Sequence, residues 1–331
     1  MEIASLLRAG SVALVLAACS QSGSESAATK GRVVVAVTID WEGAYLSPEG
    51  LDALDALRKR LQAPITHFVS AAYFTKEPVD PTTISSITEV VHRGDELALH
   101  VHAWRSLAKA SGIEPKLSPS FLTGTDKLLE FEDGDTGFDV DLDTYDAPAL
   151  RALVRTSRRL LEQTHLRVSS SFRAGGYLGT PKLLQAIQDE GFTVDSSAID
   201  YRQLDQGNDD VLSARIKEIW PHAEKTTQPY VIDLPGGPLL EMPIAAVADY
   251  ATGMDIVDVF EAAHARLQQD PSRDVFVVLG FHLETAAELA GRLGDAIDKV
   301  RRRRELGDEL VFTTVESAAA LAAKTVAAPP R

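Results

Sequence analysis

The residues able to do chemistry in this chain gather just after short apolar runs. The run Arg32 to Ile39 (RVVVAVTI) leads into Asp40, Trp41 and Glu42, and Glu96 to His102 (ELALHVH) sets His100 and His102 two positions apart. Further on, Arg173 follows Ser171 and Phe172, and His282 ends the run that starts at Val275. Residues i and i+2 of an extended chain share a face, so Asp40 with Glu42, and His100 with His102, each present two polar groups to one side. Two imidazoles and a carboxylate are enough to hold a divalent cation with positions left open for water and substrate. A second carboxylate beside them can act as general base, and a histidine on the opposite wall as general acid. Each residue alone is an ordinary strand-end side chain; their joint placement at successive strand ends points to a hydrolytic centre.

Such a centre needs elements that carry these ends to one side. Strands are expected at 32–39, 65–70, 96–102, 170–173, 192–196, 275–282 and 310–315, with helices at 47–62, 84–92, 147–164, 181–190, 256–269 and 285–304 and a short Ala-rich helix at the end. About seven strands alternating with helices in roughly 300 residues have the rhythm of one α/β barrel of about that size, although an open doubly wound sheet gives a similar pattern. Two inserts interrupt it. Residues 126–146 hold nine acidic residues against Lys127 and read as a solvated loop, without the pattern of a calcium-binding hand. Residues 201–230 are polar with an aromatic patch at Trp220 and His222, and read either as a rim loop of the site or as a surface excursion.

The motifs, taken in order, resemble the polysaccharide deacetylases of carbohydrate esterase family 4. The family's Thr-Phe-Asp-Asp-Gly is similar to Thr38-Ile39-Asp40-Trp41-Glu42-Gly43, and its Gly-His-Glu-Ile with a following His-rich strand end to Gly94-Asp95-Glu96-Leu97, His100 and His102. Ser171 to Tyr177, Gly191 to Ser197 and Leu279 to His282 match the remaining three. The resemblance spans 33–315 and implies a distorted (β/α)7 barrel, a divalent metal, zinc for preference, and removal of N- or O-acetyl groups from a glycan. It implies Asp40 as the base, Glu42, His100 and His102 as metal ligands, Arg173 as the group that orients Asp40, Asp195 as support for that network, and His282 as the acid. Trp41, Trp104 and Tyr177 are candidate surfaces for stacking a sugar. The chain departs from the family in three ways. Its first motif is one residue longer, Trp104 stands where the second histidine ligand is usual, and Gly280 replaces a leucine two residues before His282. Trp104 keeps open a glycan-binding or envelope-assembly lipoprotein on the same barrel that lacks catalysis, and a metal-dependent amidohydrolase acting on a non-sugar amide would use the same site residues.

The 331 residues carry a formal charge of −15 and are 45% hydrophobic, which excludes global disorder and argues against nucleic acid as a partner. The single cysteine, Cys19, excludes an internal disulfide and a thiolate cluster. Cys19 ends the sequence Leu-Ala-Ala-Cys after a short apolar run, which resembles a bacterial lipoprotein signal. The expected organisation is a signal peptide at 1–18, a lipid-attached Cys19 opening a flexible tether at 19–31, one catalytic domain at 32–325 and a tail at 326–331. Such a protein is exported and held at the membrane by its lipid.

Overall fold

Near-continuous β-branched runs suit strands buried on both faces, and the first strand buries all nine of its residues. The computed structural model describes residues 30–326 except 79, 208 and 209, so the proposed signal peptide and Cys19 lie outside the described residues. In chain order the elements are β1 (Val33–Trp41), α1 (Pro48–Leu61), β2 (Ile65–Ser70), α2 (Thr83–Val90), β3 (Glu96–Val101), α3 (Arg105–Ala110), α4 (Ala147–Leu161), β4 (Val168–Ala174), α5 (Pro181–Asp189) and β5 (Val194–Asp195). There follow α6 (Asp210–Ile219), β6 (Tyr230–Leu234), β7 (Gly237–Glu241), β8 (Ile244–Val247), α7 (Gly253–Gln269), β9 (Val275–Gly280), α8 (Ala286–Arg301), α9 (Arg304–Gly307), β10 (Leu310–Thr313) and α10 (Val315–Val326). Among the described residues no helix is long and apolar enough to cross a membrane.

The strands β5, β4, β3, β2, β1, β9 and β8 lie side by side and parallel, and β10 pairs with the first half of β1. Closure comes from one continuous stretch. Its β7 part pairs with β5, its β8 part pairs with β9, and between them Ile244 bridges to Ile199, with its N–H donating to Ala198 O at 2.8 Å. The result is the distorted seven-stranded barrel the sequence led us to expect, with β6 added antiparallel to β7. The strands β6, β7 and β8 are additions to the expected list. Their sequences explain why: β6 alternates half-buried and exposed positions, β7 opens Gly-Pro, and β8 is half alanine, so none shows the β-branched run of an interior strand.

Helix boundaries follow local capping. Ser47, Asp146 and Thr180 accept from the backbone N–H of the third residue of α1, α4 and α5, each with proline in the first turn, and Thr252 with Asp255 forms a capping box on α7.

The acidic insert is solvated only in part: Asp126, Glu130, Glu132, Asp133 and Asp146 are exposed as its charge led us to expect, but three carboxylates are not. Asp135, Asp139 and Asp141 are buried because each is used as an acceptor or ion-pair partner: Ser106 Oγ donates to Asp135 at 2.6 Å, Leu129 N–H to Asp139 at 3.3 Å, and Arg215 Nε to Asp141 at 2.8 Å. This frees Phe131 and Phe138 of the same segment to pack on Trp104.

Candidate active site

Strand register does most of the positioning. His100 lies opposite Ser70 on β2 and Arg173 on β4, and the β1 and β9 chains continue their ladder past the sheet, with Asp40 N–H donating to Phe281 O at 2.9 Å and Leu283 N–H to Asp40 O at 2.8 Å. Asp40 and His282 are thereby bridged as neighbours. Glycines give the close approaches. A Cβ on Gly175 would lie 2.6 Å from His102 Nδ1, and Gly43, at φ 87°, turns the chain just after Glu42 against Ser70.

The structure brings Glu42, His100 and His102 together. One donor atom from each lies within 4.8 Å of the others, and all three residues are buried. His100 Nδ1 meets Arg173 O at 2.9 Å and His102 Nδ1 meets Phe138 O at 2.7 Å. A carbonyl oxygen only accepts, so both Nδ1 atoms carry hydrogen, and in the neutral rings both Nε2 lone pairs turn inward. Those Nε2 atoms sit 3.1 Å apart, and His102 Nε2 lies 2.5 Å from Glu42 Oε2. Lone pairs facing each other and a carboxylate need positive charge between them, so this donor set fits a divalent cation. Burial opposes the charge on Glu42, yet His102 and His100 outweigh it and hold the carboxyl well below its ordinary range. His100 is raised, against its burial, by Glu42. Trp104 Nε1 donates to Glu42 O at 2.8 Å and fixes the main chain there.

Asp40 faces the same space. Arg173 Nη1 donates to its Oδ1 at 2.7 Å and to Thr38 Oγ1 at 2.8 Å, while Arg173 Nε reaches Ser196 O at 2.7 Å. The guanidinium is fully buried, with Phe68 beneath it at 4.1 Å, so Asp40 is oriented by a group that cannot swing away. Asp40, Glu42 and His282 form a second close group that shares Glu42 with the first. His282 Nε2 points to Tyr177 Oη at 3.2 Å and to Glu42 Oε1 at 3.3 Å. Tyr177 holds a left-handed φ of 63°, uncommon for a residue with a side chain, and its carbonyl accepts from Trp220 Nε1 at 2.9 Å. The 201–230 insert thus reaches the site through Trp220.

Three expectations need correction. Trp41 and Trp104 are both 0% exposed and offer no face to a sugar. Trp41 packs edge-on to His67 and Tyr73, and Trp104 lies among Phe131, Phe138 and the ammonium of Lys76, which sits 3.3 Å over its ring. Asp195 does not bond Arg173; Ser196 does, and Asp195 accepts from Ser197 Oγ at 2.7 Å. Register sets Asp195 opposite Glu241. Burial raises Asp195, and burial with the Asp195 charge raises Glu241 well above the carboxylate range, because two buried carboxylates facing each other disfavour a second negative charge.

Two residues escaped the sequence reading. Asp249 Oδ1 lies 3.0 Å from His282 Nδ1 and accepts from Thr285 Oγ1 at 2.6 Å. Burial lowers the His282 pKa, but Asp249, Glu42 and Asp40 together raise it to about 10. Glu284 lines the cavity and accepts from Tyr73 Oη at 3.2 Å; burial and the nearby Glu42 charge raise it to about 8. Asp249 lies outside every motif, in the loop after β8. Glu284 stands two residues past His282, but in a turn, with Thr285 N–H donating to His282 O at 3.3 Å, so no strand periodicity marked it.

Asp40, Glu42, His100, His102, Tyr177, His282 and Glu284 line one cavity of about 370 Å³, with Arg173 and Asp249 behind its wall. No family model matches the sequence, and no curated protein matches it. Among solved structures, one from Mycobacterium smegmatis, assigned as a polysaccharide deacetylase, aligns with a TM-score of 0.55 at 16% identity, over 92% of this chain and 94% of its own. The PuuE allantoinase aligns at 0.53 with 13% identity, over 90% and 93%. A Pseudomonas aeruginosa PAO1 protein, also assigned as a polysaccharide deacetylase, aligns at 0.51 with 13% identity, over 89% and 92%. The fold of this chain is therefore that of the polysaccharide deacetylases, held at very low sequence identity.

Proposed function

We propose that this protein is a metal-dependent hydrolase that removes N-linked acyl groups, acetyl among them, from a glycan of the cell envelope or its surroundings. The observation that carries this reading is the inward-facing set of Glu42, His100 and His102, flanked on one side by Asp40 and on the other by His282. Those three residues would hold the cation, with zinc suited to a His, His, carboxylate set. Bound there, a divalent ion supplies Lewis acidity toward a carbonyl and a water molecule. Asp40, oriented by Arg173, takes a proton from the attacking water as the new carbon–oxygen bond forms. His282, steadied by Asp249 through Nδ1, delivers the Nε2 proton to the departing nitrogen as the carbon–nitrogen bond breaks, giving a carboxylate and an amine. Export and lipid attachment at Cys19, supported by the Leu-Ala-Ala-Cys sequence, would bring this activity to the envelope.

A second reading places the same chemistry on a non-sugar amide. It is favoured by the burial of Trp41 and Trp104, which removes two of the three aromatic surfaces expected to stack a sugar. The test is metal content together with carboxylate release. Zinc-reconstituted protein should hold about one ion per chain in the Glu42 site and release acetate from N-acetylated oligosaccharides, and chelation should stop the release. Protein that retains no divalent ion, or whose metal content is the same after His100→Ala, would overturn the reading; turnover of simple amides but of no sugar would select the second.

A further inference from the structure

The cavity has two unlike walls. Around His282 it is polar, with Tyr177, Glu284 and Thr285. Beside His102 it is apolar, with Phe138 and Phe121 against that ring, and Leu122, Phe131 and Leu212 also line the cavity; none of the five carries a hydrogen-bonding side-chain atom. Phe138 stacks on the His102 ring at 4.2 Å between centroids, and Phe121 and Phe131 lie 6.3 and 5.8 Å from Phe138, so the aromatic rings form one continuous surface. This surface comes from the long connection after α3 and from α6, not from the barrel strands.

Resting on the hydrolase reading above, we infer that this wall receives the acyl group of the substrate and is built for an acyl chain longer than acetyl. The leaving nitrogen must lie at His282, because that is where the proton is delivered. The acyl substituent on the same carbonyl carbon is then directed away from His282, toward the wall beside His102. Sugar hydroxyls placed there would give up water for no partner, which is costly, whereas methylenes gain from every apolar contact. A cavity of about 370 Å³ is at the lower end of small-molecule sites and several times what a two-carbon acyl group fills.

The test uses the full chain reconstituted with zinc and a series of N-acylglucosamines bearing acetyl, butyryl and hexanoyl groups. The expected kcat/KM rises about fourfold for each added methylene until the wall is covered. Leu212→Trp and, separately, Leu122→Trp fill the space beside the rings and should collapse the hexanoyl-to-acetyl ratio towards one or below. Two variants on different elements, each checked by its melting temperature, guard against a simple folding defect. Best turnover with acetyl, or a length preference that survives both tryptophans, would overturn the inference. Should no acylglucosamine be hydrolysed, titration calorimetry with acetate, butyrate and hexanoate still decides it, since these are the carboxylates that the wall would hold. Affinity that climbs with length and is lost in Leu212→Trp supports the acyl wall and sets the failure on the hydrolase reading. Affinity that stays flat with length rejects the wall itself.

Discussion

At the start of β3, Glu96 is 5% exposed and both of its oxygens are taken: Thr66 Oγ1 and Glu316 N–H donate to Oε2 at 2.9 and 3.0 Å, and Ser169 Oγ donates to Oε1 at 2.7 Å. Its neighbour Asp95 is equally occupied, by the backbone N–H groups of Ile65 and His92 and by Arg58 Nε at 2.8 Å. At the other end of the same strands Glu42 is 8% exposed but confronts imidazole nitrogens, while Asp249 Oδ2 and Glu284 Oε2 are buried without a hydrogen-bond partner. The carboxylates at the two ends are alike in type and burial and differ in what faces them. Where the donors are hydroxyls and N–H groups of the fold itself, the carboxylate ties strands and α10 together. Where lone pairs and orphan oxygens converge, the fold carries polar groups that only something bound can satisfy, a departure from local consistency expected at a functional site.

This contrast can be broken most directly at Asp40. Asp40→Asn keeps the shape and the Arg173 contact but loses the base, so kcat/KM should fall by about 10²- to 10⁴-fold with the melting temperature moved little. An active Asn variant would mean that the open end of the barrel is merely unsatisfied, not catalytic. Glu96→Ala attacks the other end. It strands two hydroxyls and a backbone N–H of α10, and should cost about 3 kcal/mol in denaturant unfolding while the folded fraction keeps its specific activity.

The Asp195 and Glu241 pair lies between these extremes, buried near the site and set opposite each other by strand register, with the pKa of Glu241 raised by burial and by the Asp195 charge. The folded pKa of Glu241 is raised above its unfolded value, so its stabilising contribution is complete below the ordinary carboxylate range. It is lost as pH rises toward the folded value. Glu241→Gln should remove that loss. The stability difference between variant and wild type should shift in the variant's favour with rising pH, by at most about 1.4 kcal/mol per pH unit for one proton. A difference independent of pH would show that the pair holds no proton. The smallest effect is expected for Trp104→Phe, which removes the bond to Glu42 O but keeps most of the packing: about 1 kcal/mol of stability and metal content unchanged. If KM for a sugar substrate rose sharply instead, with folding intact, Trp104 would be a stacking surface after all.

The sequence carried the barrel strands and the site's core because both are written in short-range periodicity. Val33 to Ile39 can only be an interior strand, and extended backbone at its end obliges Asp40 and Glu42 to share a face, as it does His100 and His102. Charge alone foretold the exposed carboxylates of the acidic insert but not the buried ones, since nothing local shows that Asp135 and Asp139 will be enclosed by their own loop and by Lys76. Aromatic type likewise said nothing about which ring would be buried. Tyr177 reached the cavity, and Trp41 and Trp104 went into the packing behind it.

What the sequence by itself determined was a set of strand ends armed with two carboxylates, three histidines and an arginine, in an order that resembles one enzyme family. Only the tertiary structure decided who faces whom. Asp249 meets His282 because the loop after β8 is delivered there by the closure of the barrel, and Glu241 meets Asp195 through the register of two strands 46 residues apart. Likewise, the inward-facing lone pairs of His100 and His102 are set by two carbonyl oxygens, Arg173 O and Phe138 O, supplied by other parts of the chain. Periodicity fixes which side of its own strand a residue occupies. The partner it finds there depends on contacts between segments distant in sequence, and those exist only once the barrel has closed.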